Sequence, residues 1–289
     1  LKFVLFVIDL LRGEKSGKKI GKMSSIAVKD VEVTNSLIWF RNDLRINDHP
    51  GINSALSISG KVIGFYCFNS SMFKMTNLWF PKIDKFRAKF LLATIENLKE
   101  DLKKINVTLI IKIGDPVEEL TKSISQQKIK NIFFQKEWTQ EEVDEEDQLK
   151  SKCNDKNFKS FYSQFLYDPD DLDINNISNV FTNFRKHCEK KLKVKDLLES
   201  PKKLLDDNLL KDDYLIPSLS DLGLEDFQMD SRSAFKFKGG CNAAKERLDF
   251  YLWQSKKINF YKQTRNGLIG QDYSSKFSSW LSNGSISAR

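Results

Sequence analysis

Near the carboxy end of the chain, three serines and a lysine lie close together: Ser274, Ser275, Lys276 and Ser278. Their hydroxyl groups can donate hydrogen bonds to phosphate oxygens, and the lysine can add positive charge. An apolar, helix-forming stretch follows, and the backbone N–H groups at the start of a helix attract anions. The pattern indicates a phosphate-binding site. The alternative is a serine-rich turn that only caps an ordinary helix.

Residues for metal-dependent or histidine-dependent chemistry are scarce. The chain has four cysteines without CxxC spacing, and it has only two histidines, His49 and His187. Scattered cysteines argue against a zinc site and against a disulfide framework in a chain of 289 residues. Two histidines provide little material for His-based activation of a nucleophile.

The balance of charges favours a polyanionic partner without identifying one. The formal net charge is +8, from 47 basic and 39 acidic side chains. Such a chain attracts nucleic acid through its phosphates. A simpler interpretation is that the lysines solvate the outer faces of helices, so charge alone does not assign a function.

Short apolar runs that alternate with helical patterns begin at Ser36. The apolar runs predict strands at residues 36–41, 61–68, 107–113, 131–135 and 158–164. Helices are predicted between them, at residues 50–59, 83–105 and 139–152 and from Pro116 onward. This alternation predicts a doubly wound parallel sheet of the α/β class, whose ligands bind beyond the carboxyl ends of the strands.

Two details of these helices are also predicted. Asp48 and Asp115 are expected to be N-caps, each with a proline in the first turn that follows. In the longest helix, apolar residues recur at helical spacing on one face. They are Ile83, Phe86, Phe90, Ile95, Leu98 and Leu102.

Changes in composition predict four regions. Residues 1–35 are a leader or a mis-started extension, because the chain begins at Leu1 and its first apolar run is too short to span a bilayer. Residues 36–165 form the α/β domain, and residues 166–234, rich in Pro, Asn, Ser and Asp, form an interdomain connector. Residues 235–289 begin an all-helical domain.

Three segments resemble the photolyase/cryptochrome family. The first, at 38–45, reads IWFRNDLR and resembles the opening strand and loop of the family's α/β domain; polar contacts of Asn42, Asp43 and Arg45 are expected to close this loop. The second, at 239–248, reads GGCNAAKERL and resembles the first helix of the flavin domain, although relatives usually carry Glu where this chain has Cys241.

The third segment is the most specific. It reads YKQTRNG at 261–267, DYSSKFSSWL at 272–281 and GSISAR at 284–289, in the order and spacing of the family's flavin-binding block. The Tyr-Ser pair within it resembles the cryptochrome-DASH branch. A connector element, TNFRK at 182–186, also resembles that branch.

This resemblance implies that the chain is the N-terminal part of an FAD protein and ends inside its flavin-binding domain. No catalytic residue is assigned, and Trp253 and Trp280 are expected to pack rather than to relay electrons. By resemblance, Arg265 faces DNA. The implied FAD contacts are Tyr261, Ser274, Ser275, Lys276, Phe277 and Ser278.

In the family, excited reduced flavin passes an electron to a cyclobutane pyrimidine dimer and splits it. The DASH branch favours damaged DNA that is single-stranded or looped. The resemblance therefore implies a light-driven DNA lyase, expected to be a monomer without a membrane partner, in an undetermined compartment. Two alternatives stay open: a non-catalytic cryptochrome photoreceptor, and an α/β module without flavin.

Relatives also often hold a folate antenna, 5,10-methenyltetrahydrofolate, between the two domains. An acidic cluster lies near the place where such contacts arise, although a solvated acidic helix explains it more simply. Ala93 stands where relatives tend to carry a carboxylate, which weakens the folate assignment. The cluster consists of Glu137, Glu141, Glu142 and Asp144.

Overall fold

The computed structural model describes residues 33–58 and 60–289, and Val33–Arg289 form one compact unit. The expectation of a leader falls mostly on residues 1–32, which lie outside the described residues. The described strands are β1 (Asn35–Trp39), β2 (Val62–Asn69), β3 (Thr108–Gly114), β4 (Ile129–Gln135) and β5 (Asn157–Phe161). The described helices are α1 (Pro50–Leu56), α2 (Lys85–Lys104), α3 (Pro116–Gln126), α4 (Gln140–Lys152), α5 (Phe181–Lys191), α6 (Cys241–Asp249), α7 (Tyr261–Thr264) and α8 (Ser278–Ser282). None of these helices is long and apolar enough to cross a membrane.

The five strands form one parallel sheet in the order β3-β2-β1-β4-β5. β1 lies at its centre, where Leu37 is the register partner of both Ile63 and Ile132. The prediction of a doubly wound α/β fold is confirmed. The chain extends the sheet from β1 first to one side and then to the other, so the carboxyl ends of β1 and β4 flank the topological switch point.

Apolar residues cover both faces of the sheet. Ile38 and Phe40 belong to the core on the side of α1 and α2, whereas Leu37 and Trp39 belong to the core on the side of α3 and α4. None of these four side chains is more than 3% exposed. Because β1 is buried on both faces, its sequence is a continuous apolar run instead of alternating apolar and polar residues.

The start of α1 differs from the prediction. His49, not Asp48, is the N-cap, and its Nδ1 accepts a hydrogen bond from the Ile52 backbone N–H at 3.1 Å. Asp48 has a positive φ of 50° and points its carboxylate at Arg289. A tertiary ion pair therefore replaces the local cap that the sequence indicated.

The longest helix also differs at its start. α2 begins at Lys85 behind the N-cap Asp84, so Ile83 precedes the helix. Phe86 is 58% exposed and does not belong to the apolar face that was predicted for it. The predicted cap of α3 is confirmed, because the Asp115 carboxylate accepts a hydrogen bond from the Glu118 N–H at 2.9 Å.

The connector consists of short turns, extended chain and the helix α5, and part of it lies against β2 and β3. The Asn208 side chain accepts from the Val62 N–H at 2.8 Å and donates to the Asn106 carbonyl at 2.6 Å. Leu210 N–H donates to Thr108 Oγ1 at 3.0 Å. These contacts fasten the connector to β2 and β3, while the boundaries drawn after residues 165 and 234 remain predictions.

Candidate cofactor-binding site

Two glycines allow the segment that carries α6 to lie against α2. A Cβ atom on Gly239 would lie 1.9 Å from the Phe90 carbonyl oxygen, and Gly240 has a φ of 101°. This close approach lets the Asn242 N–H donate to the Asn97 side chain at 3.0 Å. Larger residues would move α6, and with it every group that α6 positions.

Arg247 on α6 holds the loop that contains the predicted serines. Its guanidinium donates to three backbone carbonyls, those of Gln271 at 3.0 Å, Ser274 at 3.1 Å and Ser275 at 3.0 Å. It also donates to Asp272 Oδ1 at 2.7 Å. Only 4% of the Arg247 side chain is exposed. The planar guanidinium thus holds residues 271–275 in place from their buried side.

The same guanidinium is enclosed by aromatic rings. Its central carbon lies 4.8 Å from the ring centroid of Phe237, 5.5 Å from that of Phe250 and 5.1 Å from that of Tyr251. The sequence interpretation missed this residue as a functional one. A signal was present, because Arg247 lies three residues after Ala244 and four before Tyr251, on the apolar stripe of its helix.

With its carbonyls turned toward Arg247, the loop keeps its hydroxyl groups free. Ser274 and Ser275 are half-buried and Ser278 is exposed, and no described residue hydrogen-bonds their hydroxyls. α8 has Phe277 at its N-cap position and no side-chain capping hydrogen bond. The capping alternative for these serines is therefore not supported.

Lys276 and Phe277 complete this loop. Lys276 has a positive φ of 64°, and its Nζ lies 3.5 Å from the centroid of the Tyr273 ring. The Phe277 ring packs edge-on against Tyr251, with centroids 6.0 Å apart. The lysine charge thus lies over the Tyr273 ring of the same loop, while the phenylalanine joins the loop to the α6 segment.

The other two predicted site residues lie on a neighbouring segment. Tyr261 begins α7 and is 40% exposed, and Arg265 follows α7 on the surface. Thr264 joins this segment to the serine loop, because its Oγ1 donates to the Tyr273 carbonyl at 2.9 Å. Arg265 forms no ion pair with any described residue, so its charge faces solvent.

The loop after β1 is closed by polar contacts, as its sequence suggested. Asp43 Oδ1 accepts from the Arg41 N–H at 2.8 Å, and Asp43 Oδ2 lies 2.9 Å from His49 Nε2. Because His49 Nδ1 accepts at the cap of α1, Nε2 is the nitrogen that donates to Asp43. Asn42 instead donates to Glu137 at 3.1 Å.

The last segment of the described chain docks on this loop. Arg45 donates to the Gly284 carbonyl at 3.1 Å, and a Cβ on Gly284 would lie 2.1 Å from the Asn42 carbonyl oxygen. Arg289 forms two hydrogen bonds to Asp48, at 2.6 and 3.0 Å. The block at 284–289 therefore positions the serine loop and α8 relative to the sheet.

A cavity of about 420 Å³ lies beyond the carboxyl ends of β1 and β2, on the side of β1 away from the switch point that β1 forms with β4. Arg41 is part of its floor, 4.5 Å over the Trp39 ring and hydrogen-bonded to the Glu142 carbonyl at 2.9 Å. Glu145 accepts from the Asn69 side chain at 2.9 Å, and burial raises the pKa of Glu145. Further lining residues are Tyr66, Phe68, Phe73, Phe90, Phe235 and Ser279.

The acidic helix contributes carboxylates to this cavity. Glu141, Glu142 and Glu145 are lining residues, so this face of α4 is not only a solvated surface. Glu137 lies apart, hydrogen-bonded to Asn42 and to Gln135 at 2.8 Å, and burial raises its pKa. The cavity therefore combines aromatic walls with a rim of mixed charge.

Comparison with known proteins gives consistent matches. A family model described as DNA photolyase matches residues 36–203. Cryptochrome DASH of Gloeobacter violaceus is 39% identical over 257 residues, covering 88% of this chain and 51% of that protein. Cryptochrome DASH of Synechocystis sp. is 35% identical over 258 residues, covering 88% and 52%. The chain spans about half the length of the curated relatives it matches.

Solved structures agree with this result. The crystal structure of a Synechocystis sp. cryptochrome has a TM-score of 0.81 and 34% identity, covering 88% of this chain and 54% of that chain. A bacterial class III photolyase from Agrobacterium tumefaciens has a TM-score of 0.72 and 23% identity, covering 91% and 53%. The second match shows the same fold only.

Proposed function

The chain belongs to the photolyase/cryptochrome family, and from that premise we propose that it acts in a blue-light flavoprotein of the cryptochrome-DASH type. The proposed activity is FAD-dependent electron transfer that repairs cyclobutane pyrimidine dimers, preferentially in single-stranded DNA. When bound and reduced, FAD supplies the photoexcited electron. The residues of this chain bind and orient the cofactor and attract the nucleic acid.

The observation that carries this proposal is the loop that Arg247 holds. Its guanidinium hydrogen-bonds the carbonyls of Gln271, Ser274 and Ser275, while the hydroxyls of Ser274, Ser275 and Ser278 have no protein partner among the described residues. Three free donors on a fixed loop fit the oxygens of a pyrophosphate, and the Lys276 charge balances part of its negative charge. Hydroxyl groups that have no hydrogen-bond partner in the protein fit a bound anion better than they fit a capping turn.

The remaining site residues have supporting roles in this proposal. Tyr261 and Phe277 provide aromatic surface beside the loop, and Thr264 holds the two segments together. Arg265, which is exposed and unpaired among the described residues, contacts a DNA phosphate. That contact is electrostatic, so it weakens as the salt concentration rises.

Flavin retention tests the binding part of the proposal. Purified protein is mixed with FAD and passed through a desalting column, and bound flavin is measured by its visible absorbance. The triple variant S274A/S275A/S278A is expected to lose most of the flavin. The control S218A/S220A removes two exposed serines that hydrogen-bond only near Asp221, and it is expected to retain flavin as the unmodified protein does.

Repair tests the catalytic part separately. Flavin-loaded protein is illuminated with blue light in the presence of dimer-containing single-stranded or double-stranded oligonucleotides. The proposal predicts faster repair of the single strand. Retained flavin without repair of either substrate favours the photoreceptor alternative, and no retained flavin favours the α/β module without flavin.

We further propose that the cavity beyond β1 and β2 takes an antenna chromophore such as 5,10-methenyltetrahydrofolate. Its volume of about 420 Å³ lies within the range of small-molecule sites, and its aromatic walls suit a planar ring. Protein purified after incubation with the folate is expected to release the folate on denaturation, and the released folate is measured by its fluorescence. The variant Tyr66→Trp, which fills part of the cavity, is expected to release less.

A further inference from the structure

A tight turn before α2 exposes several large apolar side chains. Thr76 closes it, because its backbone N–H and its Oγ1 both donate to the Phe80 carbonyl, at 3.2 and 2.6 Å. Trp79 N–H donates back to the Thr76 carbonyl at 3.1 Å. The exposed fractions are 66% for Leu78, 86% for Trp79 and 56% for Phe80. We call residues 76–80 the Trp79 turn. Its backbone is held by its own hydrogen bonds, whereas its large apolar side chains are mostly exposed to solvent.

Folding does not account for a tryptophan at the tip of this turn. Trp79 has a φ of 66°, a left-handed conformation that disfavours residues with a Cβ by about 1–2 kcal/mol. A side chain that is 86% exposed gains little from burial to offset that cost. An ordered, strained and exposed aromatic residue is typical of a binding surface rather than of a core.

Positive charges and further aromatic rings lie beside the turn. Phe86, on the first turn of α2, packs edge-on against Phe227 with centroids 4.5 Å apart. Lys85 Nζ lies 5.9 Å from the Phe86 ring and Lys89 Nζ lies 4.7 Å from the Phe227 ring. Residues 74–89 contain a single acidic residue, the helix cap Asp84, against five basic ones. The basic residues are Lys74, Lys82, Lys85, Arg87 and Lys89.

Not all of these charges are neutralised. Lys82 is paired with Glu141 and Lys89 with Asp226. Lys74 and Arg87 are exposed and form no ion pair with the described residues, so the surface keeps a net positive charge.

We propose that the Trp79 turn, together with the first two turns of α2 and Phe227, binds single-stranded nucleic acid without sequence preference. Unpaired bases stack on exposed rings, and backbone phosphates contact the lysines and Arg87. The proposed occupant is a strand rather than an anionic bilayer, because the Phe86 and Phe227 rings each have a lysine Nζ beside them, at 5.9 and 4.7 Å, so that one nucleotide can contact a ring with its base and an amine with its phosphate.

The test uses an undamaged, fluorescently labelled oligothymidine, with binding followed by anisotropy in the dark and without added flavin. The variant Trp79→Gly removes the ring and places at φ 66° the residue that this conformation favours, so its melting temperature is expected to equal or exceed that of the unmodified protein. Base stacking on an aromatic residue contributes about 1–3 kcal/mol. W79G is therefore expected to weaken binding by about 5- to 150-fold.

A control variant tests whether loss of affinity is specific to this surface or follows from the removal of any exposed tryptophan. Trp138→Gly removes another exposed tryptophan, one that is 54% exposed on a different segment, and it is expected to change affinity by less than about twofold. K74E/K85E, which leaves the cavity-lining Arg87 in place, is expected to lower the dependence of affinity on salt. Equal affinity of W79G and unmodified protein overturns the proposal, as does binding to anionic phospholipid vesicles without binding to the oligonucleotide. W79G is expected to retain flavin normally, so failure of this proposal is distinguishable from failure of the flavin site.

Discussion

Replacing Arg247 with lysine is expected to release the serine loop while keeping the local charge. The guanidinium makes four hydrogen bonds to residues 271–275, and a single ammonium nitrogen cannot reproduce that planar fork. Hydrogen bonds to a charged group contribute about 1.5–3 kcal/mol each, so the loss of two corresponds to about 3 kcal/mol or more. A loop that opens more easily by about 3 kcal/mol has an open population about 150-fold larger.

Limited proteolysis with trypsin, which cleaves after Lys276 within the loop, measures this effect, because cleavage of a briefly opened loop follows the population of the open form. The control is Arg232→Lys, because Arg232 pairs with Asp230 at 2.6 Å while 88% of its side chain is exposed. An exposed pair contributes about 0–1 kcal/mol, so R232K is expected to leave the rate of cleavage after Lys276 almost unchanged. An unchanged rate of cleavage after Lys276 in R247K would refute the role given to Arg247.

Two further predictions concern the support of the site and the floor of the cavity. Gly239→Ala places a Cβ 1.9 Å from the Phe90 carbonyl oxygen, so it is expected to lower the free energy of unfolding by more than about 3 kcal/mol. The control Gly223→Ala places its Cβ in open space, so it is expected to lower the free energy of unfolding by only about 1 kcal/mol, because of its φ of 75°. Urea denaturation measures both values. Burial, followed by the charge of Glu119, raises the pKa of Cys67 from 9.0 to about 12. Since the folded state then holds the proton more tightly, stability is fully present below pH 9 and falls by up to about 1.4 kcal/mol per pH unit above it. Denaturation between pH 8 and pH 10 is expected to give a shallower decline for Cys67→Ser.

The sheet was predictable from the sequence because its signals are local. Each central strand is a short apolar run buried on both faces, and Asp115 caps α3 through a contact three residues away. The strand boundaries shifted by only a few residues. Local propensity was sufficient wherever the stabilising contact was itself local.

The errors arose where a distant residue decided the conformation. Asp48 is a good local cap, yet Arg289, 241 positions away, binds its carboxylate and His49 takes its place. Phe86 matches the apolar period of α2, yet it faces outward to meet Phe227. Periodicity contains no information about such long-range partners.

The site was predicted in part. The serine block was recognised from its residue types and its resemblance to a known family, and its assignment as a flavin contact stays a prediction. Arg247 was missed because a single arginine in a helix usually faces solvent. Its burial depends on the rings of Phe237, Phe250 and Tyr251, which only the folded chain brings around it.

The central claim is that the loop held by Arg247 binds the pyrophosphate of FAD. The most direct measurement compares the dissociation constants of FAD and of riboflavin, which has the same ring but no phosphate, in unmodified protein and in S274A/S275A/S278A. Three hydrogen bonds to a charged group, at about 1.5 kcal/mol each, predict that unmodified protein binds FAD more than 100-fold more tightly than riboflavin. The triple variant is expected to lose most of that difference. Equal affinity for the two flavins in unmodified protein would contradict the claim.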